Sequence, residues 1–268
     1  VTRIAHISDI HFGRIKHPSI VQALIDNINA ADVDLVVVSG DLTQRAFGHQ
    51  FRAARRMLDT FDAPTLVVPG NHDVFPWWRI FSRLLDPLRR YRKLIEPDLA
   101  PRWKGEGVVV QGINSAFGWT IQGGRVTSLE LLQISEGFSG VPADALRVLV
   151  VHHVMKQFGA LDTHDVMLRG AEALTSARDA GVDLVLSGHL HIPASEKVGD
   201  DGPVIVAAGT TTSTRGRASF KKTNSYNLIE ITEDVIQIRR KTFDPDADRF
   251  QAEEEVSTFA RTSRISLL

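Results

Sequence analysis

The sequence contains no cysteine. Disulfides, zinc–thiolate sites and thiol catalysis are therefore excluded, and any metal must be held by nitrogen and oxygen. It also lacks a run approaching the ~20 apolar residues that a membrane helix requires. It has no excess of charge: 31 Lys and Arg against 32 Asp and Glu leave a formal net charge of −1. Such a balance gives no global attraction to nucleic acid or anionic membrane, although a local patch still can. No internal repeat or low-complexity tract is present. The first residues enter a strand pattern at once ("RIAHIS") with no signal peptide visible, so a cytoplasmic protein is the expectation.

What is there is an ordinary globular composition. Of 268 residues, 43% are hydrophobic and 24% charged, enough for one large domain or two small ones with a buried core. "TRIAHIS", "DLVVVSG" and "APTLVVPG" read as strands, the latter two buried. Between them, Ile20, Val21, Leu24, Ile25 and Ile28 fall at helical spacing, as do Phe51, Ala54, Met57, Leu58 and Phe61. Alternating strands and helices imply right-handed crossovers and a largely parallel sheet. Further strands are expected over 107–115, 147–153, 183–189 and 203–209. "SYNLIEI" and "VIQIRRKTF" flank Thr232, Glu233 and Asp234, which predicts an antiparallel hairpin.

Five of these strand ends carry metal-ligand residue types. They present Asp9-Ile10-His11, Gly40-Asp41, Gly70-Asn71-His72-Asp73, His152-His153 and Gly188-His189-Leu190-His191. In open α/β sheets, ligands gather beyond the carboxyl ends of the strands, so five such ends can converge. Asp-x-His and His-x-His have period 2, which in extended backbone points both side chains the same way. Glycine before the polar residue lets the backbone lie close to the site. Taken singly, each block has a plainer reading as a turn, a helix cap or a surface pair. Five in order, each after an apolar strand, are not explained that way. Seven candidate ligands (Asp9, His11, Asp41, Asn71, His152, His189 and His191) exceed the need of one ion. With one bridging carboxylate they fit two ions about 3.5–4 Å apart, whose shared water would be deprotonated near neutral pH and attack phosphorus in line. Oxygen and imidazole donors suit Mn, Fe or Zn.

"SDIHFG", "GDLTQ", "GNHD", "VVHHV" and "SGHLH" resemble, in order, the five signature blocks of the calcineurin-like metallophosphoesterase superfamily, over about residues 2–243. The resemblance implies a four-layer α/β/β/α sandwich of two mixed β-sheets with flanking helices and a dinuclear centre at one end. It assigns Asp9, His11, Asp41 and His191 to one ion, and Asp41, Asn71, His152 and His189 to the other. His72 would stabilise the phosphate and protonate the leaving oxygen, and Asp73 would orient His72. His153 either lines the pocket or caps its strand. The wording "GDLTQRA" and "GNHD" departs from the serine/threonine protein phosphatases of the superfamily and looks like its bacterial cyclic-nucleotide and glycerophosphodiester phosphodiesterases.

The expected organisation is a catalytic domain over 1–243, a helical cap insertion at 75–104 and an acidic extension at 244–268. The insertion has eight Lys or Arg against three acids, and the apolar set Trp77, Phe81, Leu84, Leu88, Tyr91 and Ile95 is helically spaced, with a kink or split expected at Pro87. Packing of that stripe on the core is favoured over a membrane contact. Its arginines are then solvated or paired with the acids of 244–255. Asn71, His72, His153 and Arg215 are candidate substrate contacts; Arg217, Lys221 and Lys222 follow Arg215 in one basic loop. His6 reads as a core residue, and His17, His49 and His164 as surface. The leading expectation is a phosphodiesterase acting on a small diester or nucleotide-like substrate. A nucleotide-sugar-lipid pyrophosphatase, a phosphomonoesterase, a nuclease and a non-catalytic scaffold are the alternatives. Duplex nucleic acid is not an expected partner, and a homo-oligomer is left open.

Overall fold

Both faces of the central strands are covered, which is why they read as unbroken apolar runs. In β1 (Thr2–Ile7), Ile4 joins the core between two sheets while Ala5 and Ile7 face a layer of helices. In β2 (Leu35–Val38), Leu35 and Val37 face inward and Val36 and Val38 outward, the same alternation. The computed structural model describes residues 1–120 and 123–261.

One six-stranded sheet adds β3 (Thr65–Val67), β10 (Ser225–Ile231), β11 (Val235–Asp244) and β12 (Arg249–Ala260), in the order β12-β11-β10-β1-β2-β3. The other runs β4-β5-β6-β7-β9-β8. Its members are β4 (Arg102–Gly105), β5 (Val108–Gly112), β6 (Leu146–Val150), β7 (Leu184–His191), β8 (Ala194–Lys197) and β9 (Val204–Gly209). The first sheet is antiparallel from β12 to β1 and parallel over β1-β2-β3, whereas the second is parallel over β5-β6-β7-β9 with antiparallel edges β4 and β8. Helices α1 (Ile20–Asn29), α2 (Gly48–Leu58) and α4 (Arg89–Leu94) cover the first sheet through Leu24, Phe51 and Tyr91. Helices α5 (Ser128–Gly137) and α6 (Gly170–Asp179) cover the second through Ile134, Ala173 and Ala177. The four layers are those expected, as is the β10–β11 hairpin.

Two segments differ from the sequence reading. The insertion is split at Pro87, one of the two outcomes expected there: α3 (Ile80–Leu85) stops before Asp86-Pro87 and α4 starts afresh at Arg89, because proline supplies no N–H to continue the ladder. Only the second half of its stripe packs, since Leu88, Tyr91 and Ile95 are buried while Trp77, Phe81 and Leu84 are exposed. Its last three residues, 102–104, belong to the sheet as part of β4. The acidic segment is not a separate extension within the described residues: 249–260 pair with β11 as the edge strand β12. Charges suit an edge strand, which must not recruit another chain. Glu253 there pairs with Arg240 of β11, whereas Arg92 of the insertion pairs with Asp86. Residues 262–268 lie outside the described residues.

His6 is a core residue as expected. Its Nε2–H donates to Ser39 Oγ (2.9 Å), and Nδ1 accepts from Asn227 Nδ2 (3.4 Å). Burial pushes its pKa from 6.5 down to about 3, against the opposing charge of Asp9. Between those values the unfolded chain binds a proton that the native chain does not. Stability contributed by neutral His6 is therefore lost as pH falls from 6.5 toward 3, by up to about 1.4 kcal/mol per pH unit. Denaturant titrations of metal-free His6→Asn between pH 6.5 and 4.5 should show a shallower acid slope than wild type by up to about that amount. Identical slopes would contradict it.

Candidate metal centre

The ends of β1, β2 and β3 meet those of β6 and β7 across the two sheets. One atom each from Asp9, His11, Asp41 and His191 lie within 4.8 Å of one another, and so do atoms of His152, His153 and His189; all seven residues are buried. Asp41 lies between the sets: Oδ2 is 3.6 Å from His11 Nε2 and Oδ1 is 3.5 Å from His152 Nε2. Asn71 Oδ1 completes the second set, 3.3 Å from His152 Nε2 and 3.2 Å from His189 Nδ1. The seven ligand positions read from the sequence thus come together.

They do so by a different backbone route. Asp9, His11, Asp41, His189 and His191 have φ of 52°, 51°, 54°, 67° and 59°, so the paired side chains converge from left-handed and not from extended backbone, for His189 and His191 at the irregular end of β7. Left-handed backbone costs a non-glycine residue about 1–3 kcal/mol and persists only where its surroundings over-determine it. Here Asp9 N donates to Gly40 O (3.1 Å) and His11 N to Asp41 O (3.0 Å). Thr210 Oγ1 donates to Asp9 O and Thr212 Oγ1 to Ile10 O, both at 2.7 Å. These threonines have a supporting role that the sequence reading missed; the signal was the "GTTTST" run directly after β9. Gly188 allows the close approach of β1, since a Cβ there would meet Ser8 Oγ at 1.9 Å and Asp9 Oδ2 at 2.6 Å. At Gly70 a Cβ would meet Asp41 Oδ1 at 2.1 Å.

The hydrogen bonds set the histidine tautomers, and the tautomers require a cation. Nδ1 of His11, His152 and His191 lies 3.3, 2.6 and 2.6 Å from the carbonyl oxygens of Thr43, Ser39 and Arg215. A carbonyl only accepts, so Nδ1 carries the proton and Nε2 the lone pair. Those lone pairs face other acceptors. His191 Nε2 is 2.9 Å from Asp9 Oδ1 and 3.3 Å from His11 Nε2. Asp9 Oδ1 is fully buried and accepts no hydrogen bond. Buried lone pairs and carboxylates in this arrangement need a positive charge between them. Imidazoles anchored on backbone carbonyls, with carboxylate and amide oxygen beside them, fit first-row transition ions. In the metal-free chain a proton on His152 takes that place in the second set. Burial lowers the pKa of His152, but the charges of Asp41 and Asp9 overcome it and raise it to about 9. Against burial, His191 and His11 hold Asp9, and His152 holds Asp41, well below the usual carboxylate range.

His72 stands beside the clusters, its ring 4.8 Å from that of His11. Its Nδ1 donates to Gln44 O (2.9 Å), which leaves Nε2 for the cleft. Burial brings it down to about 4, with the charge of Asp41 opposing. Asp73 does not orient it, contrary to expectation. The Asp73 carboxylate folds back on its own turn and on the loop after β2. It accepts from Gly70 N (3.0 Å), Leu42 N (3.2 Å), Thr43 N (3.0 Å) and Thr43 Oγ1 (3.0 Å). It ties the two loops, and the carbonyl of Gln44 orients His72. His153 is buried, with Nδ1 2.8 Å from Ser115 Oγ and its ring 4.6 Å from that of His189. Arg215 does reach the cleft, with Arg217 and Asp165, over Asp41, Asn71, His72, His189 and His191.

Two larger cavities share lining residues with this narrow floor. One lobe of about 230 Å³ shares Asn71, His72 and Arg215 and extends to Arg45, Trp77 and Arg83. The other, about 490 Å³, shares Asp165 and Arg217 and extends to Leu161, His164 and Phe220.

A four-layer sandwich of two mixed sheets, with buried His/Asp clusters where strand ends meet, defines a metal-dependent phosphoesterase. Residues 2–193 match the calcineurin-like phosphoesterase family, and the chain belongs to it. It is similar to the DNA double-strand break repair protein Mre11 of Haloferax volcanii, at 28% identity over 266 residues, covering 91% of this chain and 53% of that protein. The chain therefore spans about half the length of this relative. It also resembles the 3',5'-cyclic adenosine monophosphate phosphodiesterase CpdA of Escherichia coli K12, at 24% identity over 200 residues, 70% of this chain and 69% of that one. In fold it matches a dimetal phosphatase from Danio rerio with a TM-score of 0.65 at 15% identity, covering 98% and 99% of the two chains. No helix among the described residues is long and apolar enough to cross a membrane.

Proposed function

We propose that the chain is a two-metal phosphodiesterase for small diesters. The observation that carries this reading is that two further cavities each share lining residues with the narrow floor over the clusters. A diester has a substituent on each side of phosphorus, whereas a monoester has only one. The similarity to CpdA points the same way. Asp9, His11, Asp41 and His191 would hold one ion, and Asp41, Asn71, His152 and His189 the other. When bound, two such ions supply Lewis acidity toward a phosphoryl oxygen and an activated water. Arg215 and Arg217 offer guanidinium donors to the remaining phosphate oxygens. The Asn71 amide fixes the second set and offers its NH2 to the substrate. His72 presents Nε2 to the leaving oxygen, steered by Gln44. Mn, Fe and Zn all accept these donors.

Similarity to Mre11 over most of the chain favours a nucleic-acid diester as the second reading. One substrate panel separates the two. With added Mn, bis-p-nitrophenyl phosphate is expected to be cleaved with a kcat/KM at least roughly tenfold above that of p-nitrophenyl phosphate, because only the diester fills both lobes. Cyclic nucleotides, glycerophosphodiesters and nucleotide-sugar pyrophosphates define the substituent, and a single-stranded oligonucleotide tests the second reading. A preference for the monoester, or no turnover by metal-loaded protein, contradicts the proposal.

A further inference from the structure

The hairpin of α3 and α4 is anchored by only one of its sides. Tyr91 Oη donates to Val67 O (2.8 Å), and Leu88 and Ile95 join the core. Arg83 is turned inward, where its guanidinium clamps the carbonyls of Phe75, Gly118 (2.7 Å) and Thr120 (2.5 Å). The other side presents large apolar side chains to solvent: Trp77 is 65% exposed, Phe81 82% and Leu85 84%, and Trp78, Ile80 and Leu84 are exposed beside them. Trp119, 75% exposed, sits on the loop that Arg83 clamps. Soluble proteins rarely leave so many large apolar groups together in water unless the patch binds something.

The charge around the patch selects the partner. Residues 75–95 carry five Arg and one Lys against one acid, Asp86, which is already paired with Arg92. Arg79, Arg89 and Lys93 are exposed. Outside this segment the chain is net acidic, with 25 Lys and Arg against 31 Asp and Glu, so the cationic excess is local. Tryptophan, phenylalanine and leucine on a short amphipathic element, ringed by cations, suit the headgroup–acyl boundary of a bilayer bearing anionic lipid. A second copy of this chain would bring the same positive charge to the contact.

We infer that the α3–α4 hairpin docks the protein on an anionic lipid surface. Trp77 and Pro76 also line the lobe that holds Asn71, His72 and Arg215, so docking brings the mouth of the metal site to the headgroup level. Docking requires no turnover and stands whether or not the phosphodiesterase reading holds.

Three of the four tryptophans (Trp77, Trp78 and Trp119, with Trp103 elsewhere) lie on or beside the hairpin, so intrinsic fluorescence reports docking directly. The full chain is mixed with phosphatidylcholine vesicles containing or lacking phosphatidylglycerol. Expected are co-sedimentation and a blue-shifted emission quenched by lipids brominated near the headgroup, with anionic vesicles only. Binding should weaken roughly tenfold or more as salt rises from low to near-molar. The double substitution Phe81→Ser with Leu85→Ser should reduce partitioning by about 100-fold. Leu129→Ser with Leu132→Ser, removing exposed leucines on α5, should leave it unchanged. Circular dichroism and thermal melts check that both variants fold. No binding to anionic vesicles at low salt, or binding that the Phe81/Leu85 variant retains, overturns the inference. Concentration-dependent self-association lost in that variant, without vesicle binding, overturns it in favour of a second copy.

Discussion

Asp41→Asn is expected to lower kcat for diester hydrolysis about 10³-fold or more, because ligands of a shared centre act as a unit. Asparagine is the informative replacement. Asp41 sits at φ 54°, a conformation that asparagine tolerates better than alanine does. Its Oδ1 accepts from His72 N at 2.8 Å, a bond the amide oxygen can keep. What is lost is the charge and the second ligating oxygen, the two properties that let one side chain face His11 on one side and His152 on the other. Steady-state rates across a Mn titration measure the loss. If Asp41→Asn recovers wild-type kcat at high Mn, affinity alone was changed, and the bridging role fails.

The second large effect belongs to His72. At pH 7 burial keeps its imidazole neutral, with Nδ1–H on Gln44 O and the Nε2 lone pair toward the cleft. An anionic phosphate bound there favours the protonated ring, which can then hand its proton to the leaving oxygen. His72→Ala should therefore cost about 10²–10⁴-fold in kcat with an alkoxide leaving group. With p-nitrophenolate, which leaves without a proton, the loss should be no more than about tenfold. Rates for alkyl and aryl diesters in the same variant distinguish this from a structural role, for which both would fall equally.

Much of this was legible in the sequence. Buried strands covered on both faces read as apolar runs, and α1 and α2 as apolar stripes that do pack on the first sheet. The seven positions that meet at the candidate centre stood out because so many N/O donors after apolar strands have few other uses. The backbone that aims them did not. Asp-x-His and His-x-His fit a period of 2, yet the structure holds all four residues at positive φ, with Thr210 and Thr212 bonding the carbonyls of Asp9 and Ile10 from about 200 residues away in sequence. Asp73 shows the same limit. An Asp beside a His suggests an orienting pair, but the amides of Gly70, Leu42 and Thr43 compete for the carboxylate and win. The Trp77–Ile95 stripe predicted packing throughout, and only beyond Pro87 does the chain turn its apolar side to the core. Acidic residues at 253–255 hid the edge strand β12, since charge on an edge strand resembles charge on a tail.

The central claim is one centre of two ions sharing Asp41. Its most direct test is titration of metal-stripped protein with Mn(II), followed by equilibrium dialysis and electron paramagnetic resonance. Two ions per chain, exchange-coupled as expected for a separation of about 3.5–4 Å, is the predicted result, with coupling lost in Asp41→Asn. One ion per chain, or two ions whose spectra stay uncoupled in the wild type, would contradict it.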